Sequence, residues 1–214
     1  MCTAYELGKK RGSTPGYLNP KAVAEILLNE KTHLIRPTIP APVIKADGSL
    51  ATMHWGFRRA FAPKVKGNKP VWLSIVNSRE DKLDGHTWKE SFALRRCLIP
   101  ASSFFEWVKI GGRNVPLRFE RPGGEWIWMA GIWELDEERG ECFSMITTEP
   151  NRVVEPVHDR MPCVLSDAQI PQFLEGELNQ FGPSSVVLEF HEAANFLKSK
   201  ATDEKAPPDQ AELF

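Results

Sequence analysis

Cysteine and tyrosine are scarce in this chain, long apolar runs are missing, and neither sign of charge prevails. The four cysteines, Cys2, Cys97, Cys142 and Cys163, show neither CxxC nor Cys/His ligand spacing. Nothing therefore indicates a zinc site or a secreted disulfide framework, and the thiols are expected to be reduced. Neither a metal nor a cofactor is called for. The longest apolar run, Trp126 to Trp133, falls far short of the roughly 20 residues of a membrane-spanning helix, and the N-terminus has no apolar stretch of the signal-peptide kind. A cytoplasmic chain without a membrane partner is expected. With 27 Lys and Arg against 28 Asp and Glu, the formal charge is −1. That gives no global attraction to a polyanion, so any such site must be local.

What is present is the composition of an ordinary globular domain, 42% hydrophobic and 26% charged. No internal repeat and no sharp compositional shift occurs before about residue 198, so one domain over 1–198 is expected, as a monomer. A mobile tail over 199–214 should follow, where apolar periodicity gives way to Lys, Asp, Glu and Pro. Asn19-Pro20 followed by KAVAEILLNE predicts a capped helix with Val23, Ile26 and Leu27 on one face. Further helices are expected in TWKESFAL, in SDAQIPQFL opened by Ser166, and in EFHEAANFLKS. Between them run short β-branched or aromatic stretches punctuated by Gly and Pro: APVI, TMHWGF, VWLSIVN, CLIP, FFEWV, VPLRFE, EWIWMAGIWEL, CFSMITT and PCVLS, each a strand candidate. Lys109 to Arg113 and Arg121 to Gly124 read as hairpin turns. The expected fold class is α+β, a mostly antiparallel, barrel-like sheet core with peripheral helices.

Chemistry enters at the second residue. A small residue after the initiator Met permits its removal, which would leave Cys2 with a free α-amine beside its thiol. Such a 1,2-aminothiol has an amine of pKa near 8 that attacks an aldehyde to form an imine, and a thiol that closes onto the same carbon. Four polar clusters interrupt apolar context: Asn77-Ser78-Arg79 ends VWLSIV, Glu106 sits inside FFEWV, Thr147-Thr148 ends CFSMI, and His158-Asp159-Arg160-Met161-Pro162 precedes CVLS. Together with Cys2 they supply a nucleophile, a carboxyl whose pKa apolar neighbours would raise, an imidazole, an orienting amide and two guanidinium forks for phosphate. Phe61 reads as an exposed aromatic that stacks on a base or wedges a duplex, whereas Trp72 is expected in the core. Basic clusters at Arg58-Arg59 and over 64–69 add local attraction to phosphate. The residues alone admit three readings: an aldehyde-capturing aminothiol, a thiol peptidase or amidase with Cys2 as nucleophile and His158 as base, and a non-catalytic nucleic-acid or protein-binding module.

The order Met1-Cys2, Asn77-x-Arg79, Phe105-Glu106-Trp107 and His158-Asp159-Arg160-x-Pro162, with Pro40, Trp55-Gly56 and Thr147, resembles the SRAP family, the SOS-response-associated peptidases. The similarity runs from residue 1 to about 166. It implies a β-rich α/β domain that binds single-stranded DNA, captures abasic sites covalently and processes its own Met1. It further implies Cys2 as nucleophile, Asn77 holding the Cys2 end, Glu106 and His158 as acid/base groups, and Arg79 and Arg160 on phosphates, with Pro40, Phe61 and Thr147 also at the DNA. The chain departs from the family pattern at Thr3-Ala4, where Gly-Arg is usual, at Asp81, where Glu is usual, and at Pro37, where Asn is usual. The last residues, Gln210 to Phe214, resemble the short peptides by which repair proteins hold the bacterial sliding clamp, so that clamp is a second expected partner.

Overall fold

The computed structural model describes residues 2–8, 18, 21, 32–62, 69–194 and 196. Five strands close on themselves: β3 (Pro40–Lys45), β4 (Leu50–Trp55), β8 (Arg96–Ala101), β11 (Ile127–Asp136) and β12 (Gly140–Thr148). Pairings run β11 to β8, β8 to β3, β3 to β4, β4 to β12 and β12 back to β11, so this ring has no free edge. All these pairs are antiparallel except β4 with β12. The unbroken apolar run of β11 follows from this closure, because Ile127 to Ile132 are buried throughout, without the alternation of a strand that has one wet face.

The β12 strand outlasts the ring. Its last residues lie between β7 (Asn77–Arg79), parallel, with Met145 opposite Asn77 and Thr147 opposite Arg79, and β13 (Met161–Pro162), antiparallel, with Thr147 opposite Pro162. A second sheet has the order β14-β10-β9-β1-β2, from β1 (Tyr5–Leu7), β2 (His33–Ile35), β9 (Ser103–Ile110), β10 (Arg113–Glu120) and β14 (Glu189–Glu192). Between the sheets lies one core in which Tyr5 meets Trp55 edge-on at 5.1 Å, Trp55 stacks on Phe143 and Phe104 stacks on Phe119. A two-stranded ribbon, β5 (Phe57–Phe61) with β6 (Val71–Ile75), stands apart. It leaves β4 at Gly56, whose φ of 121° and whose neighbour Ser74 Cβ, 2.9 Å from where a Cβ would lie, leave no room for a side chain.

Two short helices follow the expectation, α1 (Lys89–Leu94) and α2 (Gln169–Leu174). Pro171 is harmless in the first turn of α2, where its missing N–H has no intrahelical acceptor. Lys109 to Arg113 is a hairpin turn joining β9 to β10, with Gly111 and Gly112 both at positive φ. Arg121 to Gly124 is not. It holds a 3-10 turn at Pro122–Gly124 that carries the chain from one sheet into the other, β10 to β11. EFHEAANFLKS begins as strand β14 rather than as a helix, because the free edge of β10 takes up its backbone and Phe119 receives Phe190 at 5.4 Å. PCVLS contributes only Pro162, which follows Met161 in β13, and an isolated bridge from Val164 to Met129. The helix expected after Asn19-Pro20, residues 63–68 of the basic loop, the 199–214 tail and the Gln210–Phe214 peptide lie outside the described residues, apart from Lys21.

Candidate active site

Cys2 leads into β1, and β1 pairs with β9. The Ala4 carbonyl accepts the Phe105 amide at 3.0 Å and the Cys2 thiol at 3.3 Å. From the opposite side β7 delivers Asn77, whose Nδ2 donates to the Cys2 carbonyl at 2.8 Å. Cys2 is fully buried. Burial first, and then the charge of Glu106, push its thiol far above the usual range. The thiol is therefore kept neutral at rest.

Glu106 lies on β9 opposite Leu117 of β10 and is 2% exposed. Both faces of β9 are covered: Phe104 stacks on Phe119, while Phe105 and Trp107 pack edge-on against Phe196 at 5.0 and 5.5 Å. Such a setting withholds water from the carboxylate, and this desolvation raises Glu106 to about 7, with the amino-terminal charge opposing it and Asp159 adding to it. A carboxyl poised there gives and takes protons at neutral pH.

His158 is among the residues that line an open groove, together with Glu149, Arg152, Glu155, Asp159 and residues 183–188. Its Nδ1 accepts the Arg160 amide at 3.0 Å and lies 2.8 Å from Asp159 Oδ1. Desolvation first, and then the positive amino terminus, lower its pKa, with Asp159 opposing. The ring is neutral at pH 7. Asp159 also acts on Glu106 and on Arg79, so its charge links the His158 loop to both β9 and β7.

The structure thus brings Cys2, Asn77 and Glu106 together, and Asp159, which meets His158, also acts on Glu106. Thr147 is fully buried on the same face of the β7/β12 pair as Asn77. Arg79 is half exposed, and both its Nε and Nη2 donate to Asp81. Arg160 turns inward, 8% exposed. Pro40 starts β3 opposite His54, and Phe61 ends the ribbon opposite Val71, 44% exposed. Trp72 is not in the core. It is 52% exposed and covered on one face by the Arg58 guanidinium, 3.8 Å from the ring centre, because a two-stranded ribbon has no second layer to bury it. Sequence reasoning gave no role to Glu80, which follows Arg79 and pairs with Arg160; the only signal was two adjacent carboxylates after a short polar strand.

A family model described as SOS response associated peptidase (SRAP) matches residues 1–204. The chain belongs to the SRAP family. Over 137 residues it is 30% identical to the abasic site processing protein YoqW of Bacillus subtilis, a match covering 60% of this chain and 59% of that protein. It is 29% identical over 124 residues to the abasic site processing protein YedK of Escherichia coli, covering 55% and 56% respectively. The chain thus spans just under three-fifths of the length of these SRAP relatives. A crystallised protein from Bacteroides thetaiotaomicron superposes with a TM-score of 0.68 at 19% identity, covering 99% of this chain and 98% of that one. Another, from Bordetella bronchiseptica, gives 0.65 at 18%, covering 90% and 100%. At these identities the likeness concerns the SRAP fold alone. None of the described helices is long and apolar enough to cross a membrane.

Proposed function

We propose that this protein processes abasic sites in single-stranded DNA, as part of a DNA-damage response, by capturing the sugar aldehyde on Cys2 after the chain has removed its own Met1. The observation that carries this reading is the meeting of Cys2, Asn77 and Glu106. Asn77 fixes the Cys2 backbone, so the freed α-amine is held rather than swinging on a loose terminus, and the entropy of bringing it to the aldehyde is already lost. Glu106, about half protonated at neutral pH, relays two protons: one from the amine nitrogen to the carbonyl oxygen as the amine adds, giving a carbinolamine, and a second from that nitrogen to the departing hydroxyl. Water leaves and an imine remains. The neutral thiol then adds across the C=N bond, its sulfur bonding to carbon and its proton passing to nitrogen, which closes a thiazolidine. His158 is assigned proton transfer at the sugar oxygen. Arg79, at the surface, is assigned a phosphate, with Pro40 and Phe61 along the strand; Thr147, fully buried in this structure, is not at the protein surface.

A peptidase acting on other proteins through a Cys2 thiolate fits less well, since burial and the Glu106 charge both oppose ionisation of that thiol. The Gln210–Phe214 peptide would add a tether to the sliding clamp, raising effective concentration at the replication fork. The test of the main reading is a denaturing gel of protein incubated with a uracil-glycosylase-treated oligonucleotide. A denaturant-resistant adduct that Cys2→Ala abolishes is expected, and an adduct undiminished by Cys2→Ala overturns it.

A further inference from the structure

Arg160 is expected at the DNA surface, and in the structure its guanidinium turns inward. Nη1 donates to Glu80 Oε1 at 3.0 Å, and Nη2 donates to the Thr147 carbonyl. The two side chains of the pair are 10% and 14% exposed. Glu80 opens the 3-10 turn (Glu80–Lys82) that directly follows β7, and Thr147 belongs to the part of β12 held between β7 and β13. One guanidinium therefore ties the end of β7 to the end of β12. Its own backbone amide meets the imidazole of His158.

Nδ1 of His158 has two neighbours with opposite demands. The Arg160 amide, at 3.0 Å, requires an unprotonated Nδ1. The Asp159 carboxylate, at 2.8 Å, requires a protonated one. A neutral imidazole carries a single ring proton, so it satisfies one neighbour or the other. Other charges around the ring are the amino terminus, which acts on His158 directly, and Glu106 and Arg79, which face Asp159.

We propose that Glu80 is a positioning residue for His158, acting through Arg160: the buried pair holds the Arg160 amide against Nδ1 and so keeps the proton of the neutral ring on Nε2. The inference rests on the reading of His158 as the acid/base group at the sugar. With the amide fixed, the ring exchanges its proton through Nε2. With the pair broken, Arg160 is a buried cation without its counter-charge and moves toward water, the amide moves with it, and Asp159 draws the ring proton to Nδ1. The ring then faces the sugar with an acceptor where it had a donor.

The tautomer is read by nitrogen-15 NMR of the histidine ring in the free protein, alongside single-turnover crosslinking to an abasic oligonucleotide. Wild type is expected as the Nε2–H form, and Glu80→Ala as a mixture enriched in Nδ1–H. Crosslinking should slow roughly tenfold, a fraction of what an acid/base group contributes, with unchanged affinity for undamaged single strands. Should Glu80→Ala not fold, Glu80→Gln, which keeps the shape and removes the charge, is read in the same way. An unchanged tautomer in either folded variant overturns the proposal. So does a loss of affinity for undamaged DNA as large as that of Arg79→Ala, which would return Arg160 to the phosphate. Because the NMR measurement needs no DNA, a wild type that fails to crosslink sinks the abasic-site reading while the tautomer still decides the role of Glu80.

Discussion

Asn77 Nδ2 and the carbonyl oxygen of Cys2, 75 positions apart in the chain, are joined by a 2.8 Å hydrogen bond. The bond ties the first residues to the strand pair β7/β12, and its removal should loosen Cys2 more than the fold. Asn77→Ala is expected to cost about 1 kcal/mol of stability, the size of one hydrogen bond, and to slow adduct formation by roughly tenfold or more through lost positioning. Thermal unfolding and single-turnover gels measure the two. A variant that melts as wild type and crosslinks at the wild-type rate would show the contact to be idle.

Glu106 should leave a mark on stability as a function of pH. Its folded pKa is about 7 against an ordinary 4.5, so between those values the native state holds a proton that the unfolded chain has released. Stability from this group is complete below pH 4.5 and is lost as pH rises through 7. His158 works in the opposite sense, because its lowered pKa removes stability as pH falls below its usual 6.5. Glu106→Gln should therefore abolish the decline between pH 4.5 and 7 and leave the His158 contribution. Denaturant midpoints taken from pH 4.5 to 8 for both proteins test this, and parallel curves would contradict it.

Arg79 and Glu106 should separate binding from rate. Arg79→Ala is expected to flatten the slope of log affinity against log salt by roughly 0.7, one phosphate contact on a single strand, while saturated crosslinking proceeds normally. Glu106→Gln should leave that slope alone and reduce the rate by about 10²-fold or more. Equal loss of affinity in the two variants would dissolve the division.

On the ribbon, Phe61 and Trp72 offer different surfaces. Phe61 lies on the face it shares with Leu73 and Val71, whereas Trp72 already carries Arg58 on its ring. Phe61→Ala should weaken single-strand binding by about 1–3 kcal/mol if one base stacks there, and Trp72→Ala by less. Fluorescence anisotropy with an undamaged oligonucleotide gives both values. A larger loss at Trp72 would place the strand on the other face.

The strands were legible because short apolar stretches between Gly and Pro leave few alternatives, and β8 to β12 fall where CLIP, FFEWV, VPLRFE, EWIWMAGIWEL and CFSMITT predict them. EFHEAANFLKS was not, because Phe190, Ala193, Ala194 and Leu197 satisfy helical spacing and nothing local announces that β10 has a free edge. At the site the residue types were readable, but their meeting was not. Asn77 reaches Cys2 only because β7 runs parallel to β12 while β1 joins β9, a relation that no spacing along the chain encodes. The inward turn of Arg160 was unreadable for a similar reason. Its position in the His-Asp-Arg run reveals a guanidinium, while the carboxylate that turns it inward is 80 residues away.

The β12 strand belongs to the closed ring at one end and to the β7/β13 pairing at the other. Amides in such a strand exchange with solvent only when the ring itself opens, so their protection approaches that of global unfolding, whereas the two-stranded ribbon exchanges through small local openings. Thr147 and the register that aligns Asn77 therefore sit on the last part of the molecule to come apart, and the ribbon bearing Phe61 is among the first. Under the function proposed above, the ribbon's grip on undamaged strand breathes and lets go while the floor beneath Cys2 stays closed.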